Sequence, residues 1–310
     1  MVNNTYLGLK KFHQKWPGFS DFSRSRRPGL DVVAFPGLND WAIGKIIVQR
    51  EGFDVTDMFD LGGRVAVVTG GNGGIGLGMA RGLAQAGAAV MVAGRNRDKN
   101  AAAVAELTDL GAEAESVVLE VTEAASCQAM VAATVARFGR LDILVNNAGI
   151  NIRKQPEDTT LEDWRAVVDT NLTGTFLCAQ AVYPELCRAG GGKIINIGSM
   201  MSIFGASFVA AYAASKGGVV QLTKALATAW GKDNIQVNAV LPGWIDTELT
   251  RRARAQIEGL HARVEARTPA GRWGDPADHA GIAVFLASRA SDFLTGTAIP
   301  VDGGYSVQGG

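Results

Sequence analysis

The stretch Arg64-Val65-Ala66-Val67-Val68-Thr69-Gly70-Gly71-Asn72-Gly73-Gly74-Ile75-Gly76 decides how this chain is read. It opens on a short run of β-branched and small apolar residues, the composition of a strand buried on both faces. It then passes through a cluster of glycines, and from residue 75 to 86 apolar residues return at helical spacing. A second apolar run follows at 89–93, so the segment reads as strand, tight turn, helix, strand. Glycines at such a turn let backbone N–H groups and the helix N-terminus approach an anion with no Cβ in the way.

Working outward, the same alternation continues. Further strand candidates lie at 116–119, 141–145, 193–197, 235–240 and 297–301, with helical stretches between them. Short apolar runs joined by helices require a parallel sheet covered on both faces. The expected fold is therefore α/β, a Rossmann-type doubly wound sheet of seven strands spanning residues 59–310 as one domain. In such a sheet a ligand lies beyond the carboxyl ends of the strands, where the strand order reverses.

Composition narrows the function classes. Thirty basic residues balance thirty acidic ones across 310 positions, so no overall field draws the chain to nucleic acid or an anionic membrane. No apolar stretch has the length of a membrane-spanning helix. Cys127, Cys178 and Cys187 form no metal or redox spacing and read as packing residues in a reducing, cytoplasmic setting. His13, His261 and His279 have no ligand spacing either, so no metal is expected. Residues 1–58 differ in texture, with Pro17, Pro28, Pro36 and the basic cluster Arg24-Ser25-Arg26-Arg27. They fit neither a signal nor a transit peptide and are expected to be a poorly ordered extension, with Met58 offering an alternative start.

The glycine-rich turn has the context a dinucleotide loop needs, and a literal G-x-G-x-x-G runs through Gly71, Gly73 and Gly76. The following strand ends Val92-Ala93-Gly94-Arg95-Asn96-Arg97, where an NAD site would place an acid on the ribose 2′-hydroxyl. No acid is present. Arg95 instead offers a planar donor set for a 2′-phosphate, which favours NADP(H) and leaves NAD(H) as the alternative.

At this point the chain resembles the short-chain dehydrogenases/reductases from about residue 59 to 310. Their Thr-Gly-x-x-x-Gly-x-Gly loop matches Thr69, Gly70, Gly74 and Gly76. Their Asn-Asn-Ala-Gly segment is Asn146-Asn147-Ala148-Gly149, their helix asparagine is Asn171, their serine Ser199, and their Tyr-x-x-x-Lys is Tyr212 and Lys216. Pro242-Gly243 and Thr247 complete the series. The resemblance implies a cofactor site made by Gly70, Asn72, Gly74, Ile75, Gly76, Arg95, Asn96, Glu120, Val121, Asn147, Ala148, Gly149, Tyr212, Lys216, Pro242, Gly243, Ile245 and Thr247. One departure is Glu120, where the family commonly has an Asp at the adenine.

The chemistry of the remaining residues can be argued directly. Reducing a ketone needs a hydride and a proton for the developing alkoxide. Tyr212 can provide that proton. A free phenol has a pKa of about 10, and a positive neighbour favours its phenolate. The i, i+4 spacing puts Lys216 on the same helix face as Tyr212. Ser199 can donate to the same carbonyl oxygen, and the resemblance implies that Asn171 holds a water linking Lys216 to solvent. Asn171, Ser199, Tyr212 and Lys216 are thus the expected catalytic set.

Substrate recognition must come from elsewhere. Residues 247–272, expected to form a lid, carry Arg251, Arg252, Arg254, Arg263, Arg267 and Arg272 against Glu248, Glu258 and Glu265, a local excess that suits an anionic substrate. Arg153 follows the Asn-Asn-Ala-Gly segment and could clamp a carboxylate, so Arg153, Ser199 and Tyr212 form the expected substrate contacts. The stretches 152–156, 269–274 and 301–305 are similar to the sugar-acid members of the family, the gluconate 5-dehydrogenases and 2-deoxy-gluconate 3-dehydrogenases. The 3-oxoacyl-carrier-protein reductases and glucose dehydrogenases share the framework and stand as alternatives, beside a binding-only protein that retains NADP without turnover. The resemblance also implies a homotetramer packed through helices near 161–188 and 212–232, although Val219, Leu222, Leu226 and Trp230 could equally face the chain's own core.

Overall fold

The computed structural model describes residues 24–27, 30–33, 47–48 and 54–309. The chain divides into two compact units, Met1–Val55 and Thr56–Gly310. In the first, strands β1 (Arg24–Arg27), β2 (Leu30–Val33) and β3 (Ile47–Val48) form an antiparallel sheet in that order. The basic cluster of the sequence is itself the first of these strands. Strands this short leave no period for sequence reading to find, and the expectation of disorder for the rest of 1–53 falls outside the described residues.

The second unit holds seven strands: β4 (Val65–Thr69), β5 (Ala89–Gly94), β6 (Ala114–Val118), β7 (Ile143–Asn146), β8 (Gly192–Ile197), β9 (Ile235–Pro242) and β10 (Ala298–Val301). They form one sheet in the order β10-β9-β8-β7-β4-β5-β6, and every pair is parallel. The chain steps outward from β4 to β6, then crosses back to lay β7 beside β4. The order therefore reverses between β4 and β7, which pair from Ala66 with Ile143 to Thr69 with Asn146.

Alternation along the strands explains the two helical layers. Ala66, Val68, Val90, Val92, Ile143, Val145, Ile195 and Ile197 face one way. They pack on Met79, Ala80 and Leu83 of α1 (Gly74–Gln85), Ala103 and Leu107 of α2 (Arg97–Asp109), and later on Leu286 near the chain end. Val67, Met91, Ala93, Leu144 and Ile194 face the other way. There they meet Cys127 and Met130 of α3 (Ala124–Phe138) and the helices after β7. Two of those reach this layer, α5 (Gly174–Arg188), which brings Cys178, Val182 and Leu186, and α6 (Ala210–Trp230), which brings Leu226 and Ala227, while α4 (Leu161–Val168) packs on α6. Val219 and Leu226 are buried, and Leu222 and Trp230 pack against this same layer. Cys187, by contrast, is exposed, which corrects its reading as a packing residue.

The segment after β9 forms two short helices, α7 (Glu248–Gln256) and α8 (Leu260–Arg267), with a small core of their own from Ala253, Leu260, Val264 and Trp273. The last helix, α9 (Ala280–Ala287), and the Pro276–His279 turn before it lie against α1. A Cβ on Gly78 would stand 2.1 Å from the Pro276 carbonyl oxygen, and one on Gly82 would stand 2.8 Å from Ala280 Cβ. Small residues on α1 are what allow that approach. Among the described residues no helix is long and apolar enough to cross a membrane.

Candidate active site

A cleft of about 560 Å³ opens where the strand order reverses, at the carboxyl ends of β4, β5, β7, β8 and β9. Its floor is fixed by one hydroxyl. Thr69 Oγ1 donates to the Val145 carbonyl at 3.3 Å and accepts from the N–H groups of Asn147 and Ala148 at 3.0 and 3.1 Å. The Asn147 amide in turn donates to the carbonyls of Thr69 and Gly70. β4 and β7 are thus stitched together at their ends.

The glycine-rich loop fits a dinucleotide on geometric grounds. Gly70 and Gly74 have φ of +62° and +50°, which L side chains rarely adopt. Gly73 faces open space, and no side chain caps the N-terminus of α1 behind it. Those N–H groups and the helix dipole are left for an anion such as a pyrophosphate. Gly76 has a different part. A Cβ there would stand 2.4 Å from both Asn147 Nδ2 and the Gly70 carbonyl, so its bareness lets helix and loop close on each other, and it does not line the cleft.

At the end of β5, Asn72 Nδ2 donates to Asn100 Oδ1 at 2.6 Å, and Asn100 donates to the Gly94 carbonyl. Asn96 accepts from the Lys99 N–H and so starts α2. Arg95 extends from this corner with its side chain 70% exposed and only a loose approach to Glu120 at 3.8 Å. Glu120 itself is occupied by Thr122, whose hydroxyl donates to it at 3.0 Å. Val121, Ala148, Gly149, Pro242, Gly243, Ile245 and Thr247 also line the cleft, as the sequence reading expects.

Ser199, Tyr212 and Lys216 meet at the inner end. Ser199 starts the short 3₁₀ turn Met200–Ser202, its hydroxyl accepting from the Met201 N–H. Tyr212 and Lys216 stand one turn apart on α6, with Lys216 Nζ 5.7 Å from the centre of the phenol ring. Lys216 Nζ is buried and donates to the Ile197 carbonyl at 2.6 Å. Burial pulls its pKa down to about 8. Burial also raises the Tyr212 phenol, opposed by its hydrogen bond with Ser199 and by the charge of Arg153. A phenol, a hydroxyl and an ammonium held this way can pass a proton to or from an oxygen placed between the first two.

Asn171 lies apart from the cleft lining, fully buried in the π-type stretch Asp169–Thr173 between α4 and α5. Its amide accepts from the Ile150 N–H at 2.8 Å and donates to the Ile150 carbonyl and to Ser215 Oγ. A Cβ on Gly149 would stand 3.1 Å from Asn171 Oδ1 and 3.7 Å from Lys216 Nζ, so the amide and the ammonium face the same backbone segment. This side chain pins the segment after Gly149 to α6, satisfying a neighbouring backbone group, the plain alternative to a water-holding role that an asparagine at this position offers.

Arg153 is partly buried beside Tyr212, and burial lowers its pKa while the phenol opposes the change. Among the described residues its guanidinium makes one long hydrogen bond, 3.5 Å, to the Leu249 carbonyl on α7. Among the described residues it has no carboxylate within salt-bridge distance, whereas the adjacent Lys154 is taken by Asp163 at 2.6 Å. The lid arginines are different, and the expectation of a basic lid facing an anion needs correction. Arg251 and Arg254 both pair with Asp246, Arg252 with Glu248, and Arg272 with Asp278. Two of those acids lie outside residues 247–272, which is why the local count misled. Arg254 also stacks on Trp273, and Arg267 on Tyr305 and Phe204. The arginines hold the lid together and tie it to the C-terminal segment. Lys99, Asn151 and Thr170, which the sequence analysis does not single out, also stand in the cleft wall, and of the lid arginines Arg252 does so. Lys99 alone left a trace, as a cation in the first turn of the helix after β5.

Fold and site together define an NAD(P)-dependent dehydrogenase acting on CH–OH groups, and the chain belongs to the short-chain dehydrogenase/reductase family. A family model described as enoyl-(acyl carrier protein) reductase matches residues 70–306. The chain is 43% identical to a 2-dehydro-3-deoxy-D-gluconate 5-dehydrogenase of Formosa agariphila over 80% of its own length and 94% of the relative's. It is 42% identical to the gluconate 5-dehydrogenase of Gluconobacter oxydans over 81% and 98%. Among solved structures, a gluconate 5-dehydrogenase from Burkholderia cenocepacia in complex with NADP and tartrate matches with a TM-score of 0.79 and 43% identity, covering 83% of this chain and all of that one (100%).

Proposed function

We propose that the protein interconverts a secondary alcohol and a ketone on a sugar acid of the gluconate and keto-gluconate kind, using NADP(H). The observation that carries the substrate class is Arg153, a guanidinium with no carboxylate partner among the described residues, set beside the Tyr212 phenol. A substrate carboxylate there gains charge-assisted hydrogen bonds, and its carbinol carbon is held near the phenol. The names of the similar proteins, which act on gluconate or its dehydro and deoxy derivatives, agree with this class. For the cofactor, Arg95 stands where an NAD site would place an acid, and the similar structures from Burkholderia cenocepacia and Agrobacterium tumefaciens hold NADP.

In this reading Gly70, Gly73, Gly74 and the N-terminus of α1 hold the pyrophosphate, Arg95 the 2′-phosphate, and Lys216 the nicotinamide ribose. The bound cofactor supplies or accepts the hydride. Tyr212 gives its proton to the carbonyl oxygen during reduction and takes it back during oxidation, while Ser199 donates a hydrogen bond to that oxygen. Lys216 favours the phenolate form, and Asn171 holds the backbone that frames them.

Initial rates with NADPH and NADH test the proposal against a keto sugar acid, a neutral keto sugar and a short 3-oxoacyl thioester. The expected result is selective NADPH oxidation with the keto sugar acid. Turnover of the thioester in preference to the acid would refute the substrate class. NADP binding without turnover of any of them would favour the binding-only reading.

A further inference from the structure

Lys99 donates to Glu248 Oε2 at 2.9 Å although 149 positions separate them. Lys99 sits in the first turn of α2, whose start is fixed against the end of β5 by the Asn96 cap, and Arg95 lies just before that cap. Glu248 is the first residue of α7, and the preceding Thr247 packs over the glycine loop, its Cγ2 3.2 Å from where a Cβ on Gly74 would stand. The second oxygen of Glu248 accepts from Arg252. Lys99, Glu248 and Arg252 all line the cleft. The ion pair is therefore a bridge from the wall carrying Arg95 to the lid.

Both partners are more than half exposed, at 54% and 60%, and a pair of that kind is weak enough to exchange. A phosphomonoester carries nearly two negative charges near neutrality, against one on Glu248. Arg252 remains with Glu248 when Lys99 leaves, so the exchange strands no charge.

We propose that Lys99 is shared between the lid and the cofactor: it holds Glu248 in the free protein and turns to the 2′-phosphate on binding, so that the lid helix is untethered by that phosphate. It follows that Glu248, a lid residue, tempers the preference for NADP(H) over NAD(H). The inference rests on the NADP(H) reading above and deepens it.

The test uses the full chain with two probes, 2′,5′-ADP and 5′-AMP, which differ in the 2′-phosphate alone. Calorimetric titration of the wild type, Glu248→Gln, Lys99→Met and the double variant gives the affinity ratio of the probes. Hydrogen–deuterium exchange of residues 248–256 follows the tether. The ratio should rise by about twofold to fivefold in Glu248→Gln, as loss of an exposed ion pair implies. It should fall in Lys99→Met, and Glu248→Gln should add nothing on the Lys99→Met background. In the wild type, 2′,5′-ADP should speed exchange in 248–256 relative to 5′-AMP, a difference that Lys99→Met removes. A wild type that prefers 2′,5′-ADP, with a ratio indifferent to both substitutions, would refute the sharing and leave Arg95 as the phosphate ligand. A wild type that binds both probes equally would overturn the NADP(H) reading and this inference with it.

Discussion

Tyr212 and Lys216 are pushed in opposite directions by the same cause. Burial disfavours charge, so it raises the phenol and lowers the ammonium, the latter to about 8. Alcohol oxidation needs the phenolate and ketone reduction needs the phenol. The rate of oxidation should therefore climb from neutral into alkaline pH while that of reduction falls. Lys216→Met, lacking the charge that favours phenolate below about pH 8, should move the oxidation limb to higher pH. An oxidation profile that is flat across this range in the wild type would contradict the assignment. Tyr212→Phe should lose about 10² to 10⁴ in kcat while still binding NADPH, the usual cost of removing a positioned acid. At Arg153 the expected signature is different: Arg153→Ala should raise KM for a keto sugar acid by about tenfold or more, the worth of a charge-assisted hydrogen bond, and leave a neutral ketone little changed. The four catalytic candidates were legible in the sequence because each motif carries its own spacing. The particular partners of Asn171, Ile150 and Ser215, and the pairing of Arg251 and Arg254 with Asp246 were not, because they depend on which segments fold against each other.

At the scale of elements, α1 is the piece whose packing is least forgiving. Gly78 and Gly82 let it approach the Pro276–His279 turn and α9, and at Gly78 the obstacle is a backbone carbonyl, which cannot swing aside as a side chain can. Gly78→Ala should destabilise the fold by about 1 to 3 kcal/mol, the range for overpacking. Gly217→Ala, inside α6 with nothing within 4 Å of the new Cβ, should instead stabilise by about 0.5 to 1 kcal/mol. Denaturant titration of the pair gives opposite signs if the packing is as described, and equal signs would contradict it. Most strand positions were readable from apolar runs, since a strand buried on both faces shows little else, whereas the half-exposed β6 begins two residues before the expected 116. The short strands of residues 24–48 and the π-type stretch at 169–173 were not, because neither is long enough to impress a period on the sequence.

For the whole molecule, the unit Thr56–Gly310 contains all seven parallel strands and every described residue of the cleft. A chain beginning at Thr56 should therefore fold and turn over substrate with kinetic constants close to those of the full chain. Loss of NADPH binding on that truncation would show that the first unit takes part in the site.

The Thr69 hydroxyl has a further consequence. By joining the ends of β4 and β7 at the reversal of strand order, it denies the two halves of the sheet the freedom to splay. The wall that offers least resistance to a dinucleotide entering or leaving is then the segment after β9, joined across the cleft to α2 by the exposed Lys99–Glu248 pair.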